Sequence, residues 1–167
     1  SRQLIRHGAQ SFSISGTVID LEGTKNRLSL QFSNGSLNPR LNGSRAKSMA
    51  DLAQKLPVHI IEPNTHSLVE GPPSGRRGFL DWGVFHVEQG YLEAWRKYRR
   101  TLGQRNSALK KGEGRQMLDM WTATLAESAE PVEKLRARYV SQIGSLLQPI
   151  GQQLLNGVVS LEYHSGW

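Results

Sequence analysis

Eight of the chain's 21 cationic residues stand in one stretch of twenty: Arg96, Lys97, Arg99, Arg100, Arg105, Lys110, Lys111 and Arg115, with Glu113 as the one acid among them. Acids and cations balance over the rest of the 167 residues, so this stretch carries the whole net charge of +7. Arginine and lysine at this density suit a phosphate backbone, whose contacts are electrostatic and release counterions. Long basic side chains also simply solvate helix faces. The expectation for these eight residues is contact with duplex phosphate that reads no sequence.

A second group precedes them. Residues 71–83 read G-x-P-x-x-R-R-x-F-L-D-W-G, with Arg76, Arg77 and Asp81 as the polar members. The two arginines could meet DNA phosphate or a partner protein. They could equally pair with Asp81 or Glu70 and hold the loop against the first helical turn, since Arg77 and Asp81 are four apart and share a helix face. The structural role is favoured, and Phe79, Leu80 and Trp82 are expected in a core.

No catalytic or metal site is expected. None of the histidines (His7, His59, His66, His86 and His164) forms an H-x-x-x-H pair, and cysteine is absent. That absence also excludes a disulfide framework and fits the cytosol. There is no G-x-S-x-G elbow and no G-x-x-x-x-G-K-[ST] phosphate loop. No apolar run approaches the roughly 18–20 residues of a membrane span. A hydrophobic content of 37% is well above that of a disordered chain. A start at Ser1 and no signal-peptide pattern suggest a processed or cut end.

The elements that must position these residues fall in two groups, an α+β arrangement. Residues 11–18 and 27–32 alternate apolar and polar, as half-buried strands do. Asn34-Gly35 suits a tight hairpin, and a third strand over 37–41 ends at Asn42-Gly43, with Pro39 marking an edge. A short helix over 47–55 has Ser44 or Ser48 as its cap. Residues 57–61 (PVHII) read as a buried strand and 63–77 as a loop or hinge.

From Phe79 the chain reads as mostly helical. Leu92, Trp95, Tyr98 or Arg99, Leu102 and Leu109 form a stripe in one helix over 88–109, and 111–114 (KGEG) make a turn. Leu118, Trp121, Leu125, Val132, Leu135, Tyr139, Ile143, Leu146, Ile150 and Leu154 then recur largely at alternating intervals of three and four, with Ser128 in the one gap. This heptad-like seam predicts an antiparallel helical hairpin, a short arm. Pro131 and Pro149 are expected to kink or interrupt its second helix. Asn156-Gly157 ends it, and 158–163 read as a final strand. The division expected is a β-rich lobe edge over 1–70, a helical lobe with arm over 71–156 and a returning strand over 157–167. Two strands without partners suggest a piece of a larger protein.

The 71–83 motif follows PVHIIEP (57–63) and SLVE (67–70), and precedes W-R-x-Y-x-R (95–100) and Gln104-Arg105-Asn106. Together these resemble the RecF family of bacterial recombination-mediator ATPases. The resemblance runs from Arg2-Gln3-Leu4-Ile5-Arg6 to Gly166-Trp167 and is most specific in RRxFLDWG. It implies an ABC-type ATPase head, related to those of SMC proteins, with a β-meander in its ATP-binding lobe and a short arm on its helical lobe. It also implies a cytoplasmic bacterial protein that uses ATP and magnesium and dimerises with ATP. Such a protein binds double-stranded or gapped DNA and works with RecO and RecR to load recombinase at gaps.

This chain lacks the parts that hold nucleotide, and Ser141-Gln142-Ile143-Gly144 only echoes a signature loop. As it stands it is expected neither to bind ATP tightly nor to hydrolyse it. The resemblance places an interlobe, nucleotide-sensing loop at Glu62, Asn64, His66, Gly71, Arg76, Arg77 and Asp81. Asn64 departs from the family's acidic residue, so no metal role is expected there. The alternatives are an arm whose basic face meets an acidic surface of RecR or of the dimer partner, or a different short-armed SMC-like head.

Overall fold

The computed structural model describes residues 2–165, excluding the side chains of Arg2 and Asn64. Gly166 and Trp167, the end of the resemblance, lie outside the described residues. The chain divides into two compact units, Ser1–Glu62 and Pro63–Trp167.

The first unit is built on an antiparallel meander in the order β1 (Phe12–Ile19), β2 (Lys25–Ser33), β3 (Ser36–Leu41), β4 (Ser44–Arg45). Leu28, Leu30 and Phe32 alternate along β2, so they emerge on one face. Leu28 sits between Gly16 and Leu41, and Phe32 between Phe12 and Leu37. The Phe12 and Phe32 rings stack with centroids 5.7 Å apart. Two Asn-Gly pairs set this register. Asn34-Gly35 and Asn42-Gly43 all have positive φ, the backbone that matches a hairpin turn to strand twist. Asn42 also closes the sheet end: its side-chain oxygen accepts the Arg27 N–H at 2.8 Å, and its amide donates to the buried Asn26 side chain at 3.2 Å.

The two-residue β4 was not expected, and it places Ser44 in a strand, so Ser48 caps α1 (Met49–Lys55). The Asp51 carboxylate reaches back to the N–H groups of Lys47 and Ser48 at 2.8 and 3.2 Å, satisfying donors that a helix start leaves open. Pro39 pairs with Leu30 and lies beyond the stretch that β4 covers, so its missing N–H interrupts no ladder bond. The strand expected over 57–61 is not formed: these residues are exposed and carry no β-ladder. A strand exists by virtue of a neighbour that takes its N–H and C=O groups, and residues 57–61 pair with no strand among the described residues.

The second unit is helical. After a 3-10 turn (Pro63–His66) and the single-turn α2 (Ser67–Glu70) come α3 (Pro73–Val87), α4 (Tyr91–Lys111) and α5 (Arg115–Leu155). The helix α3 begins six residues before the expected Phe79. Pro73 occupies its first position, where the fixed φ suits a helix and the missing N–H costs nothing. Gly112, with φ 67°, ends α4, and Gly114 precedes α5. The three-residue turn makes the predicted hairpin.

The core joins Val84, Tyr91 and Val132 to Leu80, Phe85, Trp95, Leu135 and Tyr139. At the gap in the seam, Ser128 is 2% exposed, and its hydroxyl donates to the Leu125 carbonyl at 2.9 Å. A small, internally satisfied residue there lets the helices approach. Gly83, also buried, serves the same end, because a Cβ at that position would overlap the Tyr139 phenol.

The expected interruption does not occur: α5 runs unbroken across Pro131 and Pro149. Both prolines are exposed, so water can take the carbonyls they leave unbonded. The buried Ser128, Ala129 and Val132 beside Pro131 offset an interior-proline cost of about 3 kcal/mol. Asn156, with φ 49°, closes the helix. The final strand expected over 158–163 is absent. That segment folds back on α5 instead: Gln148 donates to the Val159 carbonyl at 2.8 Å, and Val159 packs so closely on Gly151 that a Cβ there would overlap it.

Candidate nucleic-acid interface

Asp81 is the anchor of the hairpin. It lies on the inner side of α3, among the core residues Leu80, Val84 and Phe85. Its Oδ1 accepts the Tyr91 hydroxyl at 2.5 Å and Arg136 Nε at 2.8 Å, and its Oδ2 accepts the Trp95 indole N–H at 3.1 Å. A second guanidinium nitrogen of Arg136 stands 2.6 Å from Oδ1, and the two side chains are only 12% and 21% exposed. Arg136 Nε also lies 3.2 Å from the Tyr91 oxygen. One carboxylate thus ties three helices together. Burial and the bond to Asp81 push the Tyr91 hydroxyl well above the usual phenol range, which keeps it a donor. Burial works against the Arg136 charge, but Tyr91 and Asp81 outweigh it and hold the guanidinium protonated.

This corrects the expected pairing of Arg76 or Arg77 with Asp81 or Glu70. Arg76 turns the other way and donates to the carbonyls of Gly71, Val69 and Leu68 at 2.8, 3.2 and 3.4 Å. These are orphan acceptors at the end of α2. Arg77, one turn before Asp81, is exposed. Gly71 closes α2 with its N–H on the Ser67 carbonyl at 2.7 Å, and a Cβ there would overlap that oxygen. The His66 ring lies 2.8 Å from the Pro63 carbonyl. Glu62 is exposed at the end of the first unit, and the side chain of Asn64 lies outside the described residues.

The basic residues separate into two sets. Arg96, Lys97, Arg100 and Lys111 are exposed and fall within about 100° of one another around α4, to one side of the buried Tyr91, Thr101 and Ala108. With Glu93, the first three line a shallow depression. From Arg96 to Lys111 this strip is about 22 Å long. Lys110 is exposed beside its end. Arg99, Arg105 and Arg115 each have a neighbour within the arm. Arg99 lies over the Trp95 ring, 5.6 Å from its centre. Arg105 Nε donates to the Thr122 hydroxyl at 3.0 Å across the hairpin, and Arg115 is 3.8 Å from Asp119. Trp95, itself fixed on Asp81, therefore connects the anchor to the basic helix.

Sequence reasoning missed Arg136 and Tyr91. A signal for Arg136 was present: it follows Leu135 and sits four from Val132 and three from Tyr139, so it borders the apolar seam. A cation in that place needs an anion.

His86 adds a pH response. Its ring packs against Trp82 and Phe85, with centroids 4.6 and 4.8 Å apart. Its Nε2 is buried with no hydrogen-bond partner among the described residues. Burial lowers its pKa below the ordinary value of 6.5. The unfolded chain therefore takes up a proton before the folded one does. The His86 contribution is intact above about pH 6.5 and is lost as pH falls towards the depressed folded pKa. Thermal melts from pH 7.5 to 5 should show a drop in midpoint that His86→Phe reduces; an equal drop in both proteins would contradict this.

Among the described residues no cluster of three or more histidines and acids could hold a metal ion, and no helix is long and apolar enough to cross a membrane.

No family model matches the chain. Curated relatives do. The DNA replication and repair protein RecF of Hydrogenovibrio crunogenus is 34% identical over 99% of this chain and 46% of its own length. That of Xanthomonas axonopodis pv. citri is 36% identical over 98% of this chain and 46% of its own. The chain therefore spans about half the length of these relatives. Two solved structures of the recombination mediator RecF in the RecFOR pathway share the fold. One, with ATP, has a TM-score of 0.83 at 22% identity over 98% of this chain and 48% of its own. The other, with ATPrS, has a TM-score of 0.80 at 23% identity over 94% of this chain and 44% of its own. Named relatives alike across nearly all of this sequence, and a backbone alike over the same range, agree with the RRxFLDWG reading: the chain belongs to the RecF family.

Proposed function

We propose that this chain is the arm-bearing stretch of a RecF-type recombination mediator and that its arm meets the phosphates of DNA. The observation that carries the reading is the strip of Arg96, Lys97, Arg100 and Lys111 along the outward side of α4, held by the Asp81 anchor on the opposite side. The strip presents point charges and forks without a shaped pocket, which suits backbone contact and reads no bases. In the full-length protein, ATP and magnesium bind outside this stretch and promote a homodimer in the bacterial cytoplasm. That dimer recognises double-stranded or gapped DNA and works with RecO and RecR to load recombinase. Residues 62–77 take part in sensing nucleotide: Arg76 fastens α2 to the start of α3, so a shift of Glu62, Asn64, His66 or Gly71 reaches Asp81 through one helix, with Arg77 exposed beside it.

Binding of the full-length protein to several duplexes of unrelated sequence tests the phosphate reading. Affinities should agree within about threefold, because contacts to phosphate carry no sequence information. A preference above about tenfold for one sequence would overturn it.

A further inference from the structure

The meander has a second face that the arm reading does not use. On its apolar side, Ile14, Leu28 and Leu30 share a groove with Met49, Leu52 and Leu56 of α1 and the loop after it. Alternation sends the residues between them to the opposite side. There Ser13, Ser15 and Thr17 of β1 stand opposite Gln31, Ser29 and Arg27 of β2, and Lys25 stands opposite Ile19. Ser29 in turn faces Arg40 of β3, and Arg40 faces Arg45 of β4. The face thus carries four exposed cations, Lys25, Arg27, Arg40 and Arg45, among short hydroxyl side chains. No acid stands at its ladder positions. Asp20 and Glu22 lie in the turn beyond Lys25, where the Asp20 carboxylate accepts the N–H groups of Glu22 and Thr24 at 3.1 and 2.8 Å.

A sheet face that only meets water gains from mixing signs, because opposite charges on facing residues stabilise a ladder and like charges destabilise it. Arg40 and Arg45 are a directly facing pair of like charge, roughly 5 Å apart at their Cα atoms. One Arg40 guanidinium nitrogen donates to the Gly43 carbonyl at 3.2 Å, which steadies the side chain. None of the ion pairs among the described residues relieves either arginine. An anion from outside would.

We infer that this face is a second phosphate-contacting surface, over which the backbone of duplex DNA lies. Strand spacing and rise put the four cations within about 17 Å of one another, and the serines and the threonine between them are short donors that leave the face low. Hydroxyl, amide and basic side chains together are the groups that hold phosphate oxygens without reading bases. An acidic amphipathic helix of a protein needs apolar anchor sites as well, and Ile19, at the margin, is the one large apolar side chain at the ladder positions of this face. The inference rests on the reading that the full-length protein binds duplex DNA. It does not rest on the α4 strip, which belongs to the other unit.

The test is binding of a duplex of about 20 base pairs by the full-length protein over a range of salt. Three variants stand beside the parent: R27A/R40A/R45A on the sheet, R96A/K97A/R100A on α4, and K55A on α1, across the sheet from this face. The sheet variant should bind more weakly at every salt concentration, with a slope of log affinity against log salt shallower by about 2 to 3. K55A should stay within about twofold of the parent. Arg45→Glu adds a readout that a structural role does not imitate. It sets an acid opposite Arg40, so the thermal midpoint should hold or rise, while duplex affinity falls at least about threefold. That variant decides the matter should R27A/R40A/R45A lose its fold. A sheet variant with the parent's affinity and slope, beside a weakened α4 variant, would overturn this inference and leave the arm reading standing. Parental behaviour of both would overturn the two together. An equal loss in K55A would also overturn it, since overall charge alone would then be at work.

Discussion

Replacing Arg136 by methionine should destabilise the helical unit by about 3 kcal/mol, the low end for removing one member of a buried ion pair. Methionine keeps the length and the helix preference of the residue it replaces. It leaves Asp81, 21% exposed, with two neutral donors where a guanidinium had supplied two charged ones. The cost is that of a carboxylate kept from water without its counter-charge. For a unit of this size the thermal midpoint should fall by about 15 °C. Arg136→Lys keeps the charge but cannot place two nitrogens on one oxygen, so its effect should be smaller, about 1–2 kcal/mol.

The paired change Asp81→Asn with Arg136→Met sharpens the test. It removes both charges and keeps one acceptor oxygen, which serves Tyr91 or Trp95 but not both, since each donates to a different oxygen of Asp81. It should return part of the lost stability, because buried ion pairs contribute little beyond their neutral replacements. Circular-dichroism melts of the four proteins measure the coupling directly. An Arg136→Met protein within about 0.5 kcal/mol of the parent would show that the three helices do not rely on this anchor.

Reversing Arg96, Lys97, Arg100 and Lys111 to glutamate in the full-length protein should reduce affinity for duplex DNA at least about a hundredfold at moderate salt. A protein that neutralises four phosphates changes its affinity about 150-fold for a fourfold change in salt, and reversal adds repulsion to that loss. Arg105→Gln should change affinity by less than about threefold, because Arg105 is turned inward onto Thr122. Finding the larger loss at Arg105 would mean that the arm opens to bind, since only a separated hairpin frees that side chain.

What was legible in the sequence was local. Alternation in β1 and β2, the Asn-Gly turns, the Ser48 cap and the 112–114 turn each depend on residues within a few positions, and each formed. The seam from Leu118 to Ile143 was legible because its partner helix is the preceding one. Beyond it, Leu146, Ile150 and Leu154 keep the spacing but are 66%, 49% and 74% exposed, since α4 is too short to reach them.

What was not legible depended on distant neighbours. The segments over 57–61 and 158–163 have strand composition, but composition does not supply a second strand. Asp81 was matched with arginines four or five residues away, whereas its partner comes from 55 residues further along. The eight cations looked equivalent because charge density ignores which way a helix faces. The helix turns Arg99 onto Trp95 and Arg105 onto Thr122 and gathers Arg96, Lys97, Arg100 and Lys111 along one exposed strip.

The most direct test of that separation is the salt dependence of duplex binding by the full-length protein, with and without Arg96→Ala, Lys97→Ala and Arg100→Ala together. Each phosphate contact contributes a slope of about −0.9 to log affinity against log salt. The slope should be shallower by about 2 to 3 in the triple variant, with weaker binding at every salt concentration. Parallel lines of equal affinity would contradict it and place the DNA contact away from the outward side of α4.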